Sequence, residues 1–196
     1  MTDSFLSDLS SPEQSIPGGA AAAAHVGVVG LGLLEKIIRI EMRRYPGPSE
    51  DSPWENLLDQ VSTACNTLYR LRDEDGRIYM RLVRVKKSDA GPEKVASVLE
   101  QAIDCPMKIM EQTRKALGCV AQTAKYCKKH LLSDLNVVCE LLGGAGRGAG
   151  HIARANLHLM TDPIKKAEYR NRLDRHFTMG CEAIESAEGS IQKKRL

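Results

Sequence analysis

The stretch from Ala20 to about Arg44 constrains the fold more than any other part of the chain. Through Leu34 it is small or aliphatic on every face, and Gly27, Gly30 and Gly32 lie inside it. Alanine and leucine favour helix, and a helix that is apolar all round has to be buried. Each interior glycine costs roughly 1 kcal/mol of helix propensity, a loss that close approach of another backbone offsets. A central, closely packed helix follows. A membrane span is the competing reading, but Ala20 to Leu34 falls short of the ~20 apolar residues a span needs. It also contains His25 and runs straight into Glu35, Lys36 and Arg39, so the reading is a buried helix and no membrane.

The rest of the chain repeats the helical pattern. A short amphipathic segment, Ser4 to Leu9, ends in Ser10-Ser11-Pro12 and leads to Pro17-Gly18-Gly19. Tyr45-Pro46-Gly47-Pro48 stops the central helix, because proline lacks the donor that continuation needs. After acidic Ser49-Glu50-Asp51, Pro53 stands at a favourable first-turn position. A second long helix then starts near Trp54, where Leu57, Val61, Ala64, Leu68 and Leu71 form an apolar stripe that ends at Asp75. Ser88-Asp89-Ala90-Gly91-Pro92 is a turn, and the next helix is expected to kink or restart at Pro106 before Lys128-Lys129-His130 ends it. Ser133 reads as the N-cap of a helix that continues through Gly143-Gly144-Ala145-Gly146 to Met160. Thr161-Asp162-Pro163 caps a final, highly charged outer helix reaching about Lys193. The expected architecture is all-α, a single domain over 1–196 built as an antiparallel bundle of about five long helices. Its small-residue faces suit packing against a second subunit.

Composition narrows the function. A formal charge of +3, with no basic block beyond Lys193, Lys194 and Arg195, gives little support to nucleic-acid binding. Cys65, Cys105, Cys119, Cys127, Cys139 and Cys181 contain no C-x-x-C pair and sit in apolar helical patterns, as buried reduced thiols do. Cys127, His130 and Cys139 match no common zinc spacing, so no metal site is expected. The N-terminus lacks the basic-then-apolar order of a signal peptide, and a cytoplasmic protein is expected.

Phe5-Leu6-Ser7-Asp8-Leu9 followed by Ser15-Ile16-Pro17-Gly18-Gly19-Ala20-Ala21-Ala22-Ala23 resembles the opening of the formiminotetrahydrofolate cyclodeaminase and methenyltetrahydrofolate cyclohydrolase family, a short helix and then a P-G-G-G-S/G-x-A-A loop. Asp73-Glu74-Asp75, Asp104-Cys105-Pro106-Met107, Ser133-Asp134-Leu135, Arg147-Gly148-Ala149 with Asn156, and Met160-Thr161-Asp162 follow in the family's order. The resemblance implies an all-helical homodimer acting on tetrahydrofolate, the one-carbon carrier, as substrate. It implies either 5-formiminotetrahydrofolate converted to the 5,10-methenyl compound with loss of ammonia, or the methenyl compound hydrolysed to 10-formyltetrahydrofolate. With no transferase domain attached to supply the formimino compound, the second is favoured slightly. The chain departs from the family at Ala20 and Ala21 in the loop, at Ile152 in place of an asparagine, and near Lys128; a Leu-Pro-Lys turn is replaced around Val85-Lys86-Lys87.

Both reactions pass through a tetrahedral carbon between two folate nitrogens and need a group that moves protons. Asp134, a carboxylate at a helix start, is the first candidate, with Asp75 orienting the ring or assisting. Without the resemblance, Asp134 reads as an ordinary first-turn aspartate and Asp75 as a solvated member of a charge run. Pro17, Gly18, Gly19 and Ala20, ahead of a helix with free N–H groups, are candidates to hold the substrate, and so are Ser133 and Asn156. Lys86, Lys87 and Arg147 are basic partners for the glutamate carboxylates. His25 and His151 read as packing histidines. The competing class is a non-catalytic folate-binding or structural helical protein of the same fold, which the altered Ala20 and Ile152 positions would suit.

Overall fold

The computed structural model describes residues 4–44, 52–88 and 91–196, and among these it is helical with no strand. A short α1 (Ser4–Ser10) precedes five long helices: α2 (Gly19–Arg44), α3 (Trp54–Lys87), α4 (Pro92–Tyr126), α5 (Leu132–His158) and α6 (Pro163–Arg195). The Tyr45–Pro48 stop, the acidic residues after it, and Asp89 and Ala90 of the predicted turn lie outside the described residues.

Consecutive helices run antiparallel. The first four long ones close a ring, α2 on α3, α3 on α4, α4 on α5 and α5 back on α2, while α6 lies along the edge made by α4 and α5. Leu31, Leu34, Ile37 and Ile38 of α2, Leu57 and Leu68 of α3, Ile103 and Ile109 of α4, and Leu135 and Leu142 of α5 fill the interior. Small residues set the spacing where α5 meets its neighbours. At Gly150 a Cβ would collide with the Phe177 ring of α6 and stand 3.0 Å from Met110 Cε of α4. The glycine run is thus the contact surface of one continuous helix.

The helix ends are fixed by local chemistry. Asp162 Oδ1 accepts from the N–H groups of Ile164 (2.9 Å) and Lys165 (3.1 Å), two of the donors that the first turn of α6 leaves open. At the far end of α2, fully buried Glu41 accepts from Arg44 Nη1 at 3.0 Å and from the Lys128 backbone N–H at 3.3 Å, tying α2 to the α4–α5 connection. Ser133 is not the N-cap of α5. A 3-10 turn at Lys129–Leu131 brings the chain in, Leu131 takes the cap position without a side-chain hydrogen bond, and Ser133 is an exposed residue inside the first turn.

The helix does not restart at Pro106. α4 runs through it for 35 residues. Proline at 106 has no N–H to give the carbonyl of Ala102, one turn back, and its ring crowds that oxygen. The orphaned carbonyl finds a donor elsewhere: Asn156 Nδ2, reaching across from α5, lies 2.7 Å away.

Candidate functional site

The N-terminus of α2 opens onto a cleft of about 270 Å³ lined by Ser15, Ile16, Gly18, Gly19 and Ala20 before and in that helix. Its other walls are Asp75, Ile78, Tyr79 and Leu82 of α3, Ala102 of α4, and Ile152 and Asn156 of α5. Four of the residues singled out from the sequence for binding, Gly18, Gly19, Ala20 and Asn156, therefore meet Asp75 at one place. The volume sits just under the roughly 300–1,000 Å³ of small-molecule sites, and the cleft is open to solvent on one side.

Its chemistry is set by the end of α2. Ala22 N–H bonds back to Gly18 at 2.9 Å, which makes Gly18 the cap and leaves the N–H groups of Gly19, Ala20 and Ala21 without helical partners. The Asp75 carboxylate faces this end, where the Ala21 N–H favours its charged form. Burial nevertheless outweighs that influence, and the Asp75 carboxyl is held above its usual 3.8. A half-buried carboxylate with raised affinity for a proton thus faces a cleft whose other wall offers free N–H donors. Behind it, Cys105 Sγ leans on the Leu71 carbonyl at 3.7 Å. Burial, with Asp75 and Glu74 adding to it, pushes that thiol up to about 12, so the sulfur stays a neutral thiol rather than a nucleophile.

Small residues let the walls close in. Gly76, next to Asp75, leaves room for Ile16, whose Cδ1 would lie 3.4 Å from a Cβ at that position. Across the cleft Ile152 presses on Gly19, with Cδ1 2.8 Å from where a Cβ would stand. Pro17 turns away into an adjoining hollow shared with Phe5, Asp8, Arg72 and Asp73. There α1 is latched down: Phe5 stacks on His25 with ring centroids 4.3 Å apart, and Arg72 lies 5.1 Å over the Phe5 ring and 3.4 Å from His25 Nδ1.

The remaining predicted site residues lie elsewhere. Asp134 is in the first turn of α5 while Asn156 is in its last; at 1.5 Å per residue they are roughly 33 Å apart, and Asp134 and exposed Ser133 do not reach the cleft of the same chain. Lys86 and Lys87 are exposed in the last turn of α3, Lys86 one turn beyond the cleft residue Leu82. Arg147 lines a separate groove between α4, α5 and α6 with Arg114 and His176. His151 is exposed and meets Phe177 edge-on, the centroids 6.3 Å apart. All six cysteines are unpaired, and Cys105, Cys119, Cys127 and Cys139 are buried. Sequence reasoning missed Ile78, Tyr79 and Leu82, although they follow Asp75 at helical spacing and share its face. It also missed Ala102, for which no local signal exists.

The family model described as formiminotransferase-cyclodeaminase matches residues 1–175. No curated protein matches the sequence significantly. Among solved structures, the chain is similar to formiminotetrahydrofolate cyclodeaminase from Thermotoga maritima, with a TM-score of 0.83 at 18% sequence identity, over 92% of this chain and 90% of that one. At that identity the likeness is one of fold.

Proposed function

The chain belongs to the formiminotransferase-cyclodeaminase family, and from that premise we propose that the cleft at the start of α2 binds a one-carbon derivative of tetrahydrofolate and turns it over. The reaction is hydrolysis of the 5,10-methenyl compound to 10-formyltetrahydrofolate or cyclisation of the 5-formimino compound with loss of ammonia. The observation that carries this reading is Asp75, a carboxyl held above 3.8 by burial in a cleft it shares with Gly18, Gly19, Ala20 and Asn156.

Asp75 is the proton-transfer group nearest the substrate. In the hydrolysis it takes a proton from the water attacking the methenyl carbon and returns it to N5 as the N5–carbon bond breaks, while the remaining hydroxyl proton is released to solvent as the formyl C=O forms. In the cyclisation N10 attacks the carbon of the protonated formimino group, Asp75 moves the N10 proton to the departing nitrogen, and the bond from carbon to that nitrogen breaks to release ammonia and leave the methenyl cation. Tyr79, 44% exposed beside Asp75, offers a ring face to the pterin, and the free N–H groups of Gly19 and Ala20 offer donors to its acceptors. Lys86 and Lys87, beyond the open end of the cleft, suit the glutamate carboxylates. Asp134 takes part only where a second copy of the chain brings it in. A homodimer is part of the proposal: α2 has a mean hydropathy of 1.6 over its most apolar window and only 56% of that window is buried, leaving Val29 52% exposed.

A second reading has its own observation. Ile152 crowds Gly19 where family members carry an asparagine, which makes that wall apolar and suits a protein that binds folate without turnover. The test is the loss of near-ultraviolet absorbance of methenyltetrahydrofolate above its spontaneous rate, alongside ammonia release from the formimino compound. Acceleration of either, falling about 10²–10⁴-fold in Asp75→Asn, is expected of an acid–base group. Acceleration of neither, with a folate-induced rise in Tm, is the outcome for the binding protein.

A further inference from the structure

Three features of α4 and α5 combine at the cleft wall. Pro106 leaves the Ala102 carbonyl without its helical donor, and Ala102 is buried, 6% exposed, in the cleft wall. A buried carbonyl needs a partner, and Asn156 Nδ2 supplies it at 2.7 Å. A side-chain amide has a donor end and an acceptor end. Turned over, it would set its own oxygen against the Ala102 oxygen, so the orphaned carbonyl fixes which end faces α4. The acceptor end, Oδ1, is left with no protein donor among the described residues, and Asn156 lines the cleft that Asp75 also lines.

We propose that Asn156, its amide locked by the carbonyl that Pro106 orphans, presents Oδ1 as a fixed acceptor for the exocyclic amino group of a 2-amino-4-oxopyrimidine ring. Asp75, which serves the one-carbon centre, lines the same cleft, so the amino-bearing edge at Asn156 and the reacting carbon at Asp75 are opposite ends of one bound ring system. A ring lacking the amino group leaves Oδ1 unpaired in a narrow site. Pro106 is then a positioning residue that never touches the ligand. The inference rests on the folate reading above and adds to it the ring edge that is recognised and the device that orients the residue recognising it.

The test is a two-by-two comparison by calorimetry in anaerobic buffer: the parent and Asn156→Ala, each titrated with tetrahydrofolate and with its 2-desamino-2-methyl counterpart. Loss of the amino group is expected to weaken binding about tenfold in the parent, equivalent to roughly 1.4 kcal/mol, and less than twofold in Asn156→Ala. Equal losses in both proteins overturn the assignment of Oδ1 while leaving folate binding standing. Failure of the parent to bind tetrahydrofolate at all overturns the folate reading and this inference with it. Where Asn156→Ala alone does not fold, the Pro106→Ala/Asn156→Ala pair, in which residue 106 again has an N–H for Ala102, carries the same comparison.

Discussion

Asp75 is subject to two opposed influences, and their balance sets how the protein responds to pH. The Ala21 N–H favours the carboxylate, but burial disfavours it more, so the folded protein holds the Asp75 proton more tightly than the unfolded chain does. Between 3.8 and the higher folded value, the native state carries the extra proton, and stability falls as pH rises. Above that window the whole cost of the buried charge is present. Asp75→Asn keeps an acceptor for Ala21 and removes the charge. It is therefore expected to melt above the parent at neutral pH, with the difference shrinking as pH falls through the raised folded value towards 3.8 and levelling off below it. Thermal unfolding of the two proteins across pH checks this, and a difference that does not change with pH would count against it. Asp75 was legible in the sequence because it ends the apolar stripe of α3; its raised proton affinity was not, because the burial comes from α2 and the loop before it.

At the scale of elements, the helix ends were largely readable and the interior of α4 was not. Pro53 before Trp54 and Asp162 before Pro163 announce their helices through chemistry contained in adjacent residues. Pro106 announces a restart that does not happen, and the compensation for its missing donor arrives from Asn156, 54 positions from the carbonyl it serves. The motif containing Asn156 was read, but its pairing with Ala102 has no local signature. Asn156→Ala should cost about 1–3 kcal/mol by leaving a buried carbonyl unpaired, and less than ~1 kcal/mol when made in Pro106→Ala, where the helix supplies the donor itself. Denaturant unfolding of the four proteins gives the coupling directly. Additive effects would mean that the hydrogen bond does not offset the proline.

The whole molecule shows why a collinear set of motifs need not form one site. Ser133-Asp134 and Asn156 belong to the same helix, yet α5 runs the length of the bundle and puts them at opposite ends. Periodicity fixes which face a residue occupies and motif order fixes its neighbours in sequence; neither gives the distance a long helix inserts between them. The same length leaves an apolar surface along α2 that the single chain does not cover. Val29→Glu, a substitution at a 52% exposed position, should leave the Tm of the chain nearly unchanged while converting the proposed dimer to monomer. Light scattering during size-exclusion chromatography reads the mass, and a parent that runs as a monomer removes the dimer. The Pro106–Asn156 pair has a historical consequence too. Losing the asparagine first exposes an unserved carbonyl, whereas losing the proline first is mild and frees the asparagine to drift. Substitutions along a lineage that abandons the ligand should therefore occur in that order, with residue 106 changing before residue 156.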